Sequence, residues 1–390
     1  MRQILFFLLI SGSALSQSWM RLPDFPATKR DDGIGVAVNG NAYFGTGLQE
    51  WNATIDFGVL NLSTLTWTSM PAMPNTTERQ YACGFVGTNC FFIFGGTVQG
   101  GALNTLFKYD ILLSKWTEKS PKPGKGLIGA AAVQNVDRVV ISNGKHEDNS
   151  LNNEVWEYNT TTDVWKQLKP FPFAPVWRSS YAAVSGKGYL LFGIDSTGKL
   201  RDELVSYDFT SDTWSVLDSF PGGGRAYAAM QGYQDRLYMF GGMNATQPYL
   251  NDFWCFFIPT KTWHRLPDLP GIGRRGGMSC AWNNSFNYSC GISEEGRLTE
   301  TWQTDLPTSL TELSKRDLSV SPNPFKDYLQ FTEQTDTFEK AQIVSMNGSI
   351  LFDESITGEK LKLPELPAGL YLLKVETHSG LILTKKIIRE

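Results

Sequence analysis

Five arginines recur along this chain at nearly even intervals: Arg30, Arg79, Arg178, Arg225 and Arg274, with Lys125 near the matching place in the interval that lacks one. A guanidinium presents donors in a planar fork that matches a carboxylate. Trp177 directly precedes Arg178, and Trp51, His146, Glu147, Asp195, Tyr249 and Glu294 fall in a second set of repeating loops. An indole face can stack on the apolar side of a sugar ring. A basic ring with aromatics beside it therefore suits an anionic or carboxylated glycan, and Arg30, Arg79, Arg178, Arg225, Arg274, Trp51, Trp177, His146 and Glu147 are the candidate ligand-binding residues. A structural role competes with this one, in which each arginine ties its loop to a neighbouring segment through carboxylates or backbone carbonyls. Glu147, Asp195 and Glu294 are the carboxylates available for proton transfer. A lone loop carboxylate is usually solvated, and glycoside hydrolysis needs two of them facing one bond, a separation that no spacing here fixes. Three histidines in the whole chain leave little room for a histidine-built metal centre. No catalytic residue, cofactor or metal is assigned.

What positions these side chains is a repeat. Trp19, Trp67, Trp116, Trp165, Trp214 and Trp263 are 48 or 49 residues apart. Each of the later ones follows a turn rich in Asn, Asp and Thr, as in Asn159-Thr160-Thr161-Thr162-Asp163. Upstream lies an apolar run ending in glycine, such as Phe91-Phe92-Ile93-Phe94-Gly95-Gly96, and before that a run of small residues opened by a basic one, such as Arg225-Ala226-Tyr227-Ala228-Ala229-Met230. Each period thus holds about four short strands divided by turns. A lone four-stranded sheet cannot bury both faces, so neighbouring units must pack around a common axis. Small residues suit the crowded inner strand, and the tryptophan fills the wider gap between outer strands. Trp302 matches the third strand of the sixth unit, which lacks an outer strand, while Trp19-Met20-Arg21-Leu22-Pro23 is an outer strand without a unit. Pairing the two closes the ring and removes an exposed sheet edge. The fold class expected is all-β: a six-bladed β-propeller over residues 17–305, a linker at 306–317 and a small β-sandwich over 318–390.

The balance of 35 Lys and Arg against 39 Asp and Glu gives a net charge of −4, which argues against nucleic-acid binding. Arg2, the apolar run Ile4 to Ile10 and Ala14-Leu15-Ser16 read as a secretory signal peptide over residues 1–16. Export permits disulfides. Cys83 with Cys90, and Cys280 with Cys290, flank turns and are candidate pairs, leaving Cys255 alone in Phe253-Trp254-Cys255-Phe256-Phe257; equally, all five can be small buried apolar residues.

The repeated Gly-Gly pair, the aromatic after it and the Trp that closes each unit resemble the kelch repeat family, over six units from residue 19 to about 305. Units one, three and six depart from the pattern at Phe44-Gly45-Thr46-Gly47, Ile141-Ser142-Asn143-Gly144 and Tyr288-Ser289-Cys290-Gly291. The resemblance implies a rigid face that binds a protein or a glycan. The copper radical oxidases of this family require two histidines on one metal, and only His146 and His264 lie in the repeats. The family also includes metal-free sialic acid mutarotases, which makes a mutarotase or epimerase the alternative reading.

The tail carries Ser321-Pro322-Asn323-Pro324-Phe325, Ser345-Met346-Asn347-Gly348, Leu366-Pro367-Ala368-Gly369-Leu370-Tyr371 and Lys385-Lys386-Ile387-Ile388. In order and spacing these resemble the type A C-terminal sorting domain of the type IX secretion system. That implies transit across a bacterial outer membrane and contact with the secretion machinery. The expectation is a monomeric, secreted or cell-surface propeller whose partner is a glycan or a surface protein.

Overall fold

The computed structural model describes residues 19–307, 320–331, 338–345, 349–356, 358, 360–377 and 382–390. The expected signal peptide lies outside these residues, as do Met346-Asn347-Gly348 of the tail and all of the expected linker except Leu306 and Pro307. Those two residues join the repeat region. Leu306 is buried in its core, and the Pro307 carbonyl accepts the Tyr238 hydroxyl at 2.6 Å.

Every regular element among the described residues is a strand. The repeats form six four-stranded antiparallel sheets, numbered here as blades one to six along the chain. Their inner strands are Ile34–Val38, Cys83–Gly87, Ala131–Asn135, Ser180–Val184, Ala229–Tyr233 and Met278–Trp282. Each adjoins the inner strand of the next blade, and the sixth returns to the first. The ring is closed by Met20–Leu22, which pairs antiparallel with Thr301–Asp305 as the outer strand of blade six.

The periodic tryptophans do the work expected of them at the outer edges. Trp67, Trp116 and Trp165 donate their indole N–H to Pro23, Pro71 and Ser120 carbonyls of the preceding blade at 2.9, 2.9 and 2.8 Å. Trp19 reaches Pro267 of blade five at 2.9 Å, so the closing strand copies the same contact. Trp214 packs edge-on against Phe171 of blade three. A large ring with one polar donor fills the wedge between blades and fixes their relative rotation. The Asn and Asp turns are equally local: Asn159 Oδ1 accepts the N–H groups of Thr161 and Thr162, and Asp208 Oδ1 those of Thr210 and Ser211.

The cysteines are all free and buried. This corrects the two candidate pairs. In the blade-two hairpin Cys83 lies opposite Phe94 while Cys90 lies opposite Gly87, so the two thiols sit at opposite ends of the ladder. Cys280 lies opposite Asn287, and Cys290 follows the far end of that strand. Four residues of strand separate Cys83 from the Cys90 end, roughly 13 Å and beyond the reach of a disulfide.

The tail forms a three-stranded sheet (Val320–Ser321, Tyr328–Phe331, Lys360–Lys362) and a four-stranded sheet (Ile350–Ser355, Phe338–Ser345, Gly369–Thr377, Ile382–Arg389). Alternate residues from both, Leu329 and Phe331 from one and Ile343, Leu373, Val375 and Ile387 from the other, share one core, as the apolar/polar alternation dictates.

Candidate functional site

The loops that enter the inner strands carry two rings of equivalent positions, and backbone hydrogen bonds identify both. In the first ring, Gly47, Gly96, Gly144, Gly193, Gly242 and Gly291 each donate to a carbonyl of the next blade: those of Arg79, Leu127, Val176, Arg225, Arg274 and Arg30, at 2.8–3.1 Å. Four of the six positions are arginines, and they are buried, at 0–3% exposure. Arg30 forks onto both oxygens of Asp56, at 2.9 and 2.8 Å, and Arg225 forks onto Asp252 at 2.8 and 2.5 Å. Arg274 meets Glu300 at 2.6 Å, and Arg79 donates to the Thr105 hydroxyl and the Gly95 carbonyl. The guanidinium faces of Arg30, Arg79 and Arg225 lie on Phe25, Phe107 and Phe220. These four side chains hold the third strand of their own blade against its entry loop, and none of them lines the axial cavity.

Arg178 is not a member of that ring. The equivalent residue of blade four is Val176, and Arg178 lies two positions further on, in the second ring. That ring is Asp32, Tyr81, Gly129, Arg178, Tyr227 and Gly276, spaced 48 or 49 residues apart. All six have left-handed backbone, with φ between 58° and 64°. Four are not glycine, and such conformations persist only where the surroundings enforce them. Here five of the six N–H groups are directed at the preceding blade: Tyr81 donates to Asp32, Gly129 to Tyr81, Tyr227 to Arg178, Gly276 to Tyr227 and Asp32 to Gly276, at 2.6–3.4 Å. The six residues therefore circle the axis at one end of a cavity of about 980 Å³, which they line together with the inner strands.

Blades one and four stand opposite each other in a ring of six, and Arg178 Nη1 donates to Asp32 Oδ1 across the axis at 2.9 Å. Arg178 Cζ lies 3.1 Å from the Tyr81 ring centroid and 4.2 Å from that of Tyr227. Burial opposes the charge of Arg178, but Asp32 and the two phenols outweigh it and hold the group above its ordinary pKa. Burial and the Asp32 charge push the Tyr81 phenol up.

Around this bridge stand cations and aromatics in alternation. Lys145 Nζ lies 4.1 Å from the Trp177 ring, Trp177 lies 4.7 Å from the Arg178 guanidinium, and Arg275 lies 5.0 and 5.3 Å from the rings of Tyr227 and Tyr249. Partial burial and the nearby Arg178 charge pull Lys145 down from its usual value. Neither Lys145 nor Arg275 has a carboxylate partner among the described ion pairs, and both are half-buried. Beside Asp32, the Asp31 carboxyl meets Arg297 at 2.5 Å. Burial and the Asp32 charge raise it, against the pull of Arg297, to about 7.

Of the residues singled out from sequence, the structure brings Arg178, Trp177 and Tyr249 into one cluster and places the other candidate ligand-binding residues elsewhere. His146 and Glu147 line a separate recess of about 510 Å³ with Lys125 and Asp148, where His146 Nδ1 lies 2.9 Å from the Gly126 carbonyl. Trp51 is 92% exposed on a hairpin tip. Asp31, Asp32, Tyr81, Lys145, Tyr227 and Arg275 were missed. Their signal was available: counting one and two residues on from each first-ring position finds five of them, and the 47 residues from Arg178 to Arg225 already set Arg178 out of phase. Lys145 belongs to the facing loop and gave no such signal.

Residues 33–222 and 129–321 match the KLHDC2/KLHL20/DRC7 Kelch-repeats domain, and residues 319–390 match the secretion system C-terminal sorting domain. Among characterised sequences, Kelch-like protein terF of Aspergillus terreus is 30% identical over 180 residues, 41% of this chain and 38% of that protein. Kelch domain-containing protein 1 of Mus musculus is 27% identical over 133 residues, 32% of each chain. The chain therefore spans well under half the length of the curated relatives it matches. Among solved structures, that of YjhT superposes with a TM-score of 0.62 at 19% identity, covering 72% of this chain and 96% of the other, a likeness of fold alone.

Proposed function

We propose, from the premise that this chain belongs to the Kelch-repeat family and is exported through a type IX C-terminal sorting domain, that its propeller binds a carboxylated glycan at the end of the axial cavity ringed by Asp32 and Arg178. The tail engages the secretion machinery, and the propeller, acting as a monomer, is the part that meets a ligand at the cell surface. The observation that carries the reading is the run Lys145, Trp177, Arg178, Tyr227, Arg275, Tyr249, in which cations alternate with rings and two of the cations have no carboxylate of their own. In a chain of net charge −4, such a cluster attracts an anion locally, and the ring faces accept the apolar side of a sugar. Calorimetric titration with uronate and sialate sugars against neutral hexoses tests this. Binding confined to the acids supports the reading, and equal binding of neutral sugars overturns it.

A second reading is acid–base catalysis on a sugar acid, a mutarotase or epimerase, and Asp31 favours it. A carboxyl held near neutrality beside Arg297 is suited to giving and taking a proton at neutral pH. Magnetisation exchange between sugar-acid anomers, accelerated by the protein and lost in Asp31→Asn, is the outcome this reading requires.

A further inference from the structure

Followed round the axis, the second ring reads Asp32, Tyr81, Gly129, then Arg178, Tyr227, Gly276. Its second half repeats its first with the charge reversed. Opposite members therefore form an ion pair, a pair of phenols and a pair of glycines. The ion pair differs from those of the first ring. Arg30 and Arg225 fork onto both oxygens of their carboxylates, whereas Arg178 meets Asp32 through one nitrogen and one oxygen. Both side chains are more than nine-tenths buried, at 7% and 5% exposure, and Arg178 Nε has no hydrogen-bond partner among the described residues. Arg225 Nε is also unpartnered, but that side chain is packed between Phe192 and Phe220 rather than against the axial cavity. Arg178 is thus a guanidinium held between two ring faces, lining a cavity, with its Nε–H unused. Asp32 Oδ1 occupies space that exists because residue 276 is glycine: a Cβ there would stand 2.8 Å from that oxygen.

We propose that Asp32 is a built-in substitute for the ligand's carboxylate, and that a ligand enters by displacing it from Arg178 and taking the fork that Asp32 leaves half made. This rests on the carboxylated-ligand reading and names its selecting residue: Lys145 and Arg275 attract, Arg178 discriminates, and Asp32 sets the threshold. Any acid must match the resident pair before it gains, so neutral sugars and weakly placed anions are refused.

The test is calorimetric titration of the full chain with D-glucuronate, N-acetylneuraminate and D-galactose, for wild type, Asp32→Asn, Arg178→Lys and the Lys145→Ala/Arg275→Ala pair. Removing the competing charge in Asp32→Asn is expected to tighten binding of the acids by about tenfold, the size of one charge-assisted hydrogen bond. Arg178→Lys is expected to weaken it by at least about as much, with galactose unbound throughout. Should Asp32→Asn bind equally or less tightly while the Lys145/Arg275 pair still weakens binding, the exchange is overturned and the glycan site stands. If neither wild type nor Asp32→Asn binds either acid, both fall. Should Asp32→Asn fail to fold, the Arg178 Nε–H resonance of the wild type decides, assigned by its absence from Arg178→Lys. Its displacement by glucuronate supports the exchange, and an unmoved resonance refutes it.

Discussion

The two rings lie two residues apart on the same six loops, yet they do opposite things. In the first, Arg30, Arg79, Arg225 and Arg274 turn back into their own blades, are buried, and meet partners 26 or 27 residues downstream. In the second, Asp32 and Arg178 point across the axis to a partner 146 residues away, and the left-handed backbone at each position turns the side chain toward the centre. Arg30 and Arg225 in the first ring face the same kinds of neighbour as Arg178, a carboxylate and an aromatic ring. What differs is what else they can reach. The first-ring arginines have partners within their own blades, a carboxylate for Arg30, Arg225 and Arg274 and the Thr105 hydroxyl for Arg79, and none lines the axial cavity, so they contribute to stability alone. Arg178 has a cavity on one side, so the same chemistry becomes available to a ligand.

That contrast is exposed to direct attack. Arg225→Ala strips the buried partner from Asp252 and is expected to cost about 3–5 kcal/mol of unfolding free energy, read by chemical denaturation. A loss no larger than that of a surface substitution would abolish the distinction between the rings. Lys145→Ala with Arg275→Ala is expected to leave stability within about 0.5 kcal/mol and to weaken acidic sugars by roughly 10- to 100-fold; a marked fall in melting temperature instead would make these residues structural. The two second-ring glycines sharpen the comparison within that ring. Both carry a left-handed φ, which costs an alanine about 1–2 kcal/mol. Gly276→Ala also drives a Cβ into Asp32, while Gly129→Ala meets nothing closer than 3.5 Å, so Gly276→Ala should be the more destabilising. Equal losses would mean that Asp32 moves aside freely. The smallest effect is a pH slope. Because the Asp31 pKa is raised on folding, its contribution to stability is present below the ordinary aspartate range, about pH 4, and is lost as pH rises through about 7. Wild type should therefore lose stability relative to Asp31→Asn across that window, and parallel denaturation curves at each pH would contradict it.

The propeller was legible because its decisive residues act locally and repeat. A tryptophan that wedges one blade against the last does so six times, and a period survives in a string of letters. The closing strand was legible for a related reason: Trp19 without a unit and a sixth unit without an outer strand are complementary deficits, and Met20–Leu22 paired with Thr301–Asp305 resolves both. The site was not legible in this way. Arg178 resembled the other arginines by type; its 47-residue interval to Arg225 hinted at a shift of phase, and the hydrogen bond from Gly144 to Val176 shows that it belongs to a different ring. The cysteine pairs failed on strand register, since residues flanking a turn meet only if the ladder puts them opposite each other.

Composition, period and turn chemistry were enough to determine an all-β propeller, because burial of each sheet's faces and closure of its edges allow few arrangements of six such units. The sorting tail was legible only through the resemblance of its motifs to a known family. Which residues converge was decided by closure itself. Asp32 and Arg178 are three repeats apart, and no local rule relates them. They meet because a ring of six places its first and fourth members across a common axis, where low exposure strengthens an attraction that water would otherwise screen.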